Sequence, residues 1–139
     1  MAPRSNREVV GALFDRLIAC DVDGFLELFA PDGQQLLPFA PAGFPDGFRG
    51  IDELSAAYRQ LFRDYREVRF PELTIEAMAD PERFLATYTT DIRFDGGRRY
   101  GNRYIATFVV RDGRIREWTE YCDPITLQTQ LGNPFAQEN

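Results

Sequence analysis

Apolar residues at Val9, Val10, Leu13, Phe14, Leu17 and Ile18 recur at the three- and four-residue spacing of one helical face, which predicts an amphipathic helix over Ser5 to Cys20. Ser5 followed by Glu8 forms a capping box at its start. A second, short helix is expected from Val22 to Ala30, capped by Asp21, burying Phe25, Leu28 and Phe29 and stopped by Pro31-Asp32-Gly33. A strand is expected at Gln34 to Phe39. The stretch from Pro38 to Phe48 holds too much proline and glycine for regular structure, yet it carries Phe39, Phe44 and Phe48 and reads as an ordered loop with apolar contacts to make. From Asp52 to Tyr65, a third helix places Leu54, Tyr58, Leu61, Phe62 and Tyr65 on one stripe and arginines opposite.

The pattern then changes to strand. Segments at Val68 to Met78, Phe84 to Phe94, Arg99 to Val110 and Arg114 to Cys122 are separated by Asp80-Pro81, Asp95-Gly96-Gly97 and Asp112-Gly113. Helices first and an antiparallel meander afterwards give an α+β domain whose helices cover one face of a curved sheet. The chain of 139 residues, 44% hydrophobic, reads as a single domain over residues 1–139.

Turn type decides which polar side chains share a face. A two-residue loop at Asp112-Gly113 puts Glu120 opposite Ile105; a three-residue loop Arg111-Asp112-Gly113 puts it opposite Tyr104 and Cys122 opposite Asn102. The second register gathers polar groups. Closing the preceding hairpin with Gly96-Gly97 sets Asp91 opposite Asn102 and Thr89 opposite Tyr104. One face then carries Thr87, Thr89, Asp91, Asn102, Tyr104, Trp118 and Glu120. The other carries Ile105, Thr107, Val109, Ile115 and Tyr121 and suits pairing with a second copy, so a homodimer through this outer face is expected.

A carboxylate on a helix-covered sheet face is costly unless paired or used, and desolvation raises its pKa toward the range of proton transfer. Glu120 is therefore the first candidate catalytic residue; a rim position or an arginine partner is the plainer alternative. Tyr104 and Asn102 are candidate donors to a developing oxyanion, and Asp91 is a further candidate beside Arg93. Phe39, Phe44, Phe48 and Trp118, with Thr89 and with Cys122 as a small wall residue, are candidates to line an apolar ligand cavity.

All 16 basic residues are arginine, with no lysine or histidine, which excludes a lysine Schiff base, a Ser-His-Asp triad and a histidine base. Two cysteines without histidine do not make a zinc site, and no metal is expected. The net charge of -6 argues against a nucleic-acid partner. Arg59, Arg63, Arg66 and Arg69, interrupted by Asp64 and Glu67, read as a solvated face. With no signal peptide and no apolar run near 18 residues, a cytoplasmic protein without a membrane partner is expected.

The succession of helix, Cys20-Asp21-Val22-Asp23 turn, short helix ending Phe29-Ala30-Pro31-Asp32-Gly33, then Arg111-Asp112-Gly113-Arg114-Ile115 and Trp118-Thr119-Glu120-Tyr121-Cys122-Asp123-Pro124, resembles the SnoaL-like branch of the nuclear transport factor 2-like superfamily. The resemblance spans nearly the whole chain and implies a cone of three N-terminal helices packed on a curved, mixed, mostly antiparallel sheet that encloses a cavity. The segment Thr126 to Phe135 is similar to the tail of polyketide cyclases that close rings by aldol condensation. In those enzymes a last-strand carboxylate is the acid/base, at the position of Glu120, and a histidine stands where this chain has Ala106. In the limonene-epoxide-hydrolase-like branch the last-strand carboxylate again falls on Glu120, but its arginine and aspartate partners are replaced by Thr87 and Thr89. In the ketosteroid-isomerase-like branch the base falls on Leu37 and a helix-one tyrosine on Leu13, with Tyr104 the one polar match. The resemblance implies a cofactor-independent acid/base enzyme acting on a small, largely apolar carbonyl compound, by cyclase-, isomerase- or dehydratase-like proton abstraction. A non-catalytic small-molecule-binding protein of the same fold and an epoxide-hydrolase-like enzyme are the alternatives.

Overall fold

The computed structural model describes residues 4–132. Helix α1 (Asn6–Ile18) starts at the capping box, with the Ser5 side chain accepting from the Glu8 backbone N–H and the Glu8 carboxylate accepting from that of Ser5. Its apolar face buries Val9, Val10, Leu13, Phe14 and Leu17; Ile18 stays half-exposed. Helix α2 (Val22–Leu26), capped by Asp21, is shorter than expected. The chain leaves it early because Phe29 already belongs to strand β1 (Phe29–Leu36), which runs through Pro31-Asp32-Gly33 instead of being preceded by it.

That is possible because β1 is irregular. It pairs in parallel with the last strand through Phe29 and Ile115, loses register, and resumes at Gln34 opposite Glu117. A Cβ at Gly33 would stand 2.8 Å from the Ile115 carbonyl oxygen, so only glycine fits this approach. Phe48, expected in the loop, lies in a short strand β2 (Gly47–Arg49) paired with β1. Helix α3 (Gly50–Asp64) follows.

The strand expected over Val68 to Met78 is two strands, β3 (Tyr65–Arg69) and β4 (Thr74–Ala77), both on the same edge of β5 (Arg83–Phe94). Strands β6 (Arg99–Arg111) and β7 (Arg114–Cys122) complete a seven-stranded sheet in the order β2-β1-β7-β6-β5-β3, with β4 beside β5. A helix not foreseen from the pattern, α4 (Pro124–Leu131), closes the described chain. Of the segment Thr126 to Phe135, the last three residues lie outside the described part. Among the described residues no helix is long and apolar enough to cross a membrane.

Both hairpin registers differ from expectation. The β5–β6 turn has three residues, Asp95–Gly97, with Gly96 and Gly97 both at positive φ and the Phe94 N–H donating to the Arg98 carbonyl. Tyr88 therefore faces Tyr104 and Thr90 faces Asn102, which turns Thr87, Thr89 and Asp91 onto the opposite face. The β6–β7 turn has two residues, Asp112 and Gly113, both left-handed (φ 54° and 73°) as a type I′ turn demands. A bulge follows at Arg116, where Val110 pairs with Ile115 but Val109 pairs with Glu117. The extra residue sets Glu120 opposite Ala106 and Cys122 opposite Tyr104. It also turns Ile115, expected on the outer face, into the core, where it is fully buried.

The core fills the space between helices and sheet. Phe14 packs edge-on against Tyr88 and Phe70, with ring centroids 4.9 and 5.1 Å away, while Trp118 stacks on Phe108 at 5.9 Å.

Candidate functional site

Between the sheet and the helices the packing leaves a cavity of about 150 Å³. Its walls come from every layer: Leu17 of α1, Tyr58 and Leu61 of α3, Leu127 and Leu131 of α4, the sheet, and the 37–45 loop. Phe39, Phe44, Phe48, Trp118, Tyr104 and Cys122 all line it. A void of this size suits a molecule of about one ring. Phe39 remains more than half exposed at the rim and meets the Tyr121 ring edge-on at 5.1 Å.

Glu120 is the one carboxylate among the described residues that line the cavity. Strand alternation carries it inward with Trp118 and Cys122. Gln35 Nε2 donates to Glu120 Oε1 at 2.6 Å and the Tyr88 hydroxyl donates to Oε2. The Gln35 amide is turned this way because the Tyr58 hydroxyl donates to its Oε1 at 2.7 Å. Burial raises the Glu120 carboxyl from its ordinary value of 4.5 to about 7, against the opposing pull of the hydrogen bonds from Tyr88 and Gln35. Desolvation wins, so near neutrality the group is divided between its two protonation states. The same burial, with the Glu120 charge adding to it, lifts the Tyr88 and Tyr58 hydroxyls well above their ordinary values, so they act as donors and not as bases.

A second polar group sits on β6. The Tyr100 and Tyr104 hydroxyls lie 2.6 Å apart, and Asn102 Nδ2 donates to the Tyr100 oxygen at 2.7 Å. Asn102 cannot turn round, because its Oδ1 accepts from the backbone N–H groups of Arg103 at 2.7 Å and Asp123 at 3.3 Å, and Nδ2 also donates to the Asp123 carbonyl at 3.0 Å. Asn102 is thus spent on holding β6 to the end of β7 and does not line the cavity. The two tyrosine hydroxyls bring two hydrogens and use one between them, which leaves one O–H available at the wall. Either hydroxyl can be the donor within the pair, and the hydrogen left over serves the Cys122 sulfur or a ligand from a cavity wall that holds both tyrosines. Burial pushes the Cys122 thiol up to about 11, with the Glu120 charge adding to the effect, so it stays a neutral wall residue.

Asp91 and Thr89 do not reach this site. The register of β5 faces them outward, Asp91 toward Arg99 at 3.9 Å and the Thr89 hydroxyl toward the Pro71 carbonyl at 3.1 Å. Four residues that sequence reasoning did not select, Gln35, Tyr58, Tyr88 and Tyr100, hold the polar network. Gln35 stands on the inward side of a strand only partly buried, so no signal marked it, and the tyrosines are indistinguishable from core residues without the register.

A SnoaL-like domain model matches residues 10–118 of this chain. The chain belongs to the SnoaL-like family. The uncharacterized PhzA/B-like protein of Pseudomonas aeruginosa is 29% identical over 117 residues, covering 84% of this chain and 82% of its own length. A Bacillus subtilis protein provisionally named an isomerase superposes with a TM-score of 0.81 at 23% identity, covering 94% of each chain. A Pseudomonas putida protein provisionally named a polyketide cyclase superposes at 0.76 with 22% identity, covering 91% of this SnoaL-like chain and 98% of its own. At such identities the likeness speaks for the nuclear transport factor 2-like fold, and the chemistry has to be argued from the cavity.

Proposed function

We propose that this protein is a cofactor-independent acid/base enzyme acting on a small, largely apolar carbonyl compound. The observation that carries the reading is Glu120: a carboxylate at the floor of an aromatic cavity, divided between protonated and ionised forms near neutrality. A base with a pKa near the working pH combines availability with driving force. Ionised Glu120 takes a proton from the carbon next to the carbonyl. The C–H electron pair becomes the enolate double bond and the carbonyl electrons move to oxygen. The hydrogen left over from the Tyr100–Tyr104 pair then donates to that oxygen, with Asn102 behind the pair. Return of the proton to another carbon gives isomerisation; attack of the enolate carbon on a second carbonyl gives ring closure.

The test is exchange of α-hydrogens for deuterium in a panel of one-ring ketones, followed by NMR. Glu120→Gln is expected to slow exchange by about 10²-fold or more. Equal rates in wild type and variant would remove the base. The second reading is a binding protein without catalysis, and it draws on the same hydrogen bonds, since Gln35 and Tyr88 already satisfy both Glu120 oxygens. An epoxide-hydrolase-like reaction has less support, because Thr87 and Thr89 face outward and, among the described residues, no second charged side chain lines the cavity beside Glu120.

A further inference from the structure

The chain carries 16 arginines, and none lines the cavity. Those beside the fold's acids make ion pairs on the surface, such as Arg59 with Asp23 at 2.9 Å and Arg66 with Asp95 at 3.0 Å. Inside, the walls offer nine aromatic side chains, neutral hydroxyls, a thiol, the Gln35 amide and the Glu120 carboxylate. Among the described residues no cation lines the cavity to meet an anionic group.

From this charge inventory we propose that the cavity selects a one-ring ligand carrying no negative charge and excludes the matched carboxylate. The proposal rests on the reading of Glu120 as the functional carboxylate and names the charge class of its substrate. An anion entering the cavity would lose its hydration without gaining a counter-charge and would lie near Glu120 in an apolar surround, where repulsion is poorly screened. A neutral carbonyl compound avoids both costs. It also keeps the charge constant through the proposed step: Glu120 bears the single negative charge before proton transfer, and the enolate bears it afterwards, when Glu120 is neutral. A carboxylate substrate would put two negative charges in the same cavity at every stage. A cationic ring compound meets aromatic faces and the carboxylate, both of which attract it. The reaction that supplies this substrate must accordingly deliver a molecule without a free acid group.

Cyclohexanone, cyclohexylamine and cyclohexanecarboxylate share one ring and differ in charge at pH 8. Their affinities for the full-length protein, by titration calorimetry or NMR shift titration, test the proposal. Cyclohexanone is expected to bind, cyclohexylamine to bind within about tenfold of it, and cyclohexanecarboxylate to bind about 100-fold or more weakly, the equivalent of roughly 2.7 kcal/mol. Glu120→Gln should recover up to about tenfold in affinity for the carboxylate, the limit that protonation of Glu120 sets at pH 8, while changing that for the ketone little. The proposal is overturned if the carboxylate binds as well as the ketone, if the amine is excluded as strongly as the carboxylate, or if none of the three binds. Loss of the base leaves a different signature: ketone and carboxylate still discriminated, but α-hydrogen exchange unchanged in Glu120→Gln.

Discussion

Gln35 and Glu120 lie 85 residues apart in the chain, and Gln35 Nε2 reaches Glu120 Oε1 at 2.6 Å only because β1 runs parallel to β7. The helix residue Tyr58 fixes the direction of that amide. Gln35→Leu removes a donor that holds the Glu120 pKa down and strands the Tyr58 hydroxyl in the core. The Glu120 carboxyl should then titrate above its value of about 7, as followed by carboxyl-carbon NMR. Urea unfolding should show a loss of about 1–3 kcal/mol. An unchanged titration would mean that Gln35 does not act on Glu120.

Glu120 also makes stability depend on pH, with a sign opposite to that of an ordinary ion-paired carboxylate. Its folded pKa, about 7, lies above the ordinary 4.5, so between these values the native state holds a proton that the unfolded chain has released. Stability contributed by this group is full below about pH 4.5, falls as pH rises toward 7, and is flat above, with a total change of at most about 3 kcal/mol. The acids whose pKa is lowered, Glu8 and Asp123, act in the opposite sense at lower pH. The wild type minus Glu120→Gln difference in unfolding free energy isolates the Glu120 slope; a flat difference from pH 5 to 7 would place the carboxylate in water.

How much of this was legible in the chain depends on what each feature rests on. The capping box at Ser5 and Glu8 and the stripe of α1 follow from local pattern. The face assignment of β5 does not, because one residue in the Asp95–Gly97 turn inverts every side chain beyond it; Asp91 and Thr89 went to the wrong side while Tyr88 and Thr90 went unnoticed. The β6–β7 register differed too, yet the Arg116 bulge and the expected three-residue turn both preserve parity, so Glu120 and Tyr104 share a face in either arrangement. The parallel pairing of β1 with β7 is a long-range fact, so Gln35 carried no sign of its partner.

Tyr100→Phe tests the donor chain on β6. The Tyr104 hydroxyl loses Tyr100 and keeps Cys122, and Asn102 Nδ2 keeps only the Asp123 carbonyl. A loss of about 1–2 kcal/mol in unfolding free energy is expected, together with weaker cyclohexanone binding and unchanged Glu120 titration. Ketone affinity equal to wild type would show that the tyrosine pair does not face the ligand oxygen.

Gly33→Ala probes the irregular start of the sheet. The new Cβ would press on the Ile115 carbonyl oxygen at 2.8 Å and the Ala30 carbonyl oxygen at 2.9 Å, both rigid backbone. Unfolding should be easier by about 1–3 kcal/mol, and thermal denaturation of the variant measures it. A variant as stable as wild type would mean that the β1–β7 contact there yields without cost.

The single extra residue at Arg116 has a consequence for how this domain can vary. Residues 117–122 keep their partners on β6 whether or not the bulge is present, because deleting it leaves Glu117 next in line for Val109. The tip of the hairpin, Arg111 to Arg114, is thereby decoupled from the floor of the cavity. A one-residue change of length is absorbed before it reaches Trp118 and Glu120. The outer end of the domain is free to be remodelled like an interchangeable handle, while the chemistry at the other end stays in step.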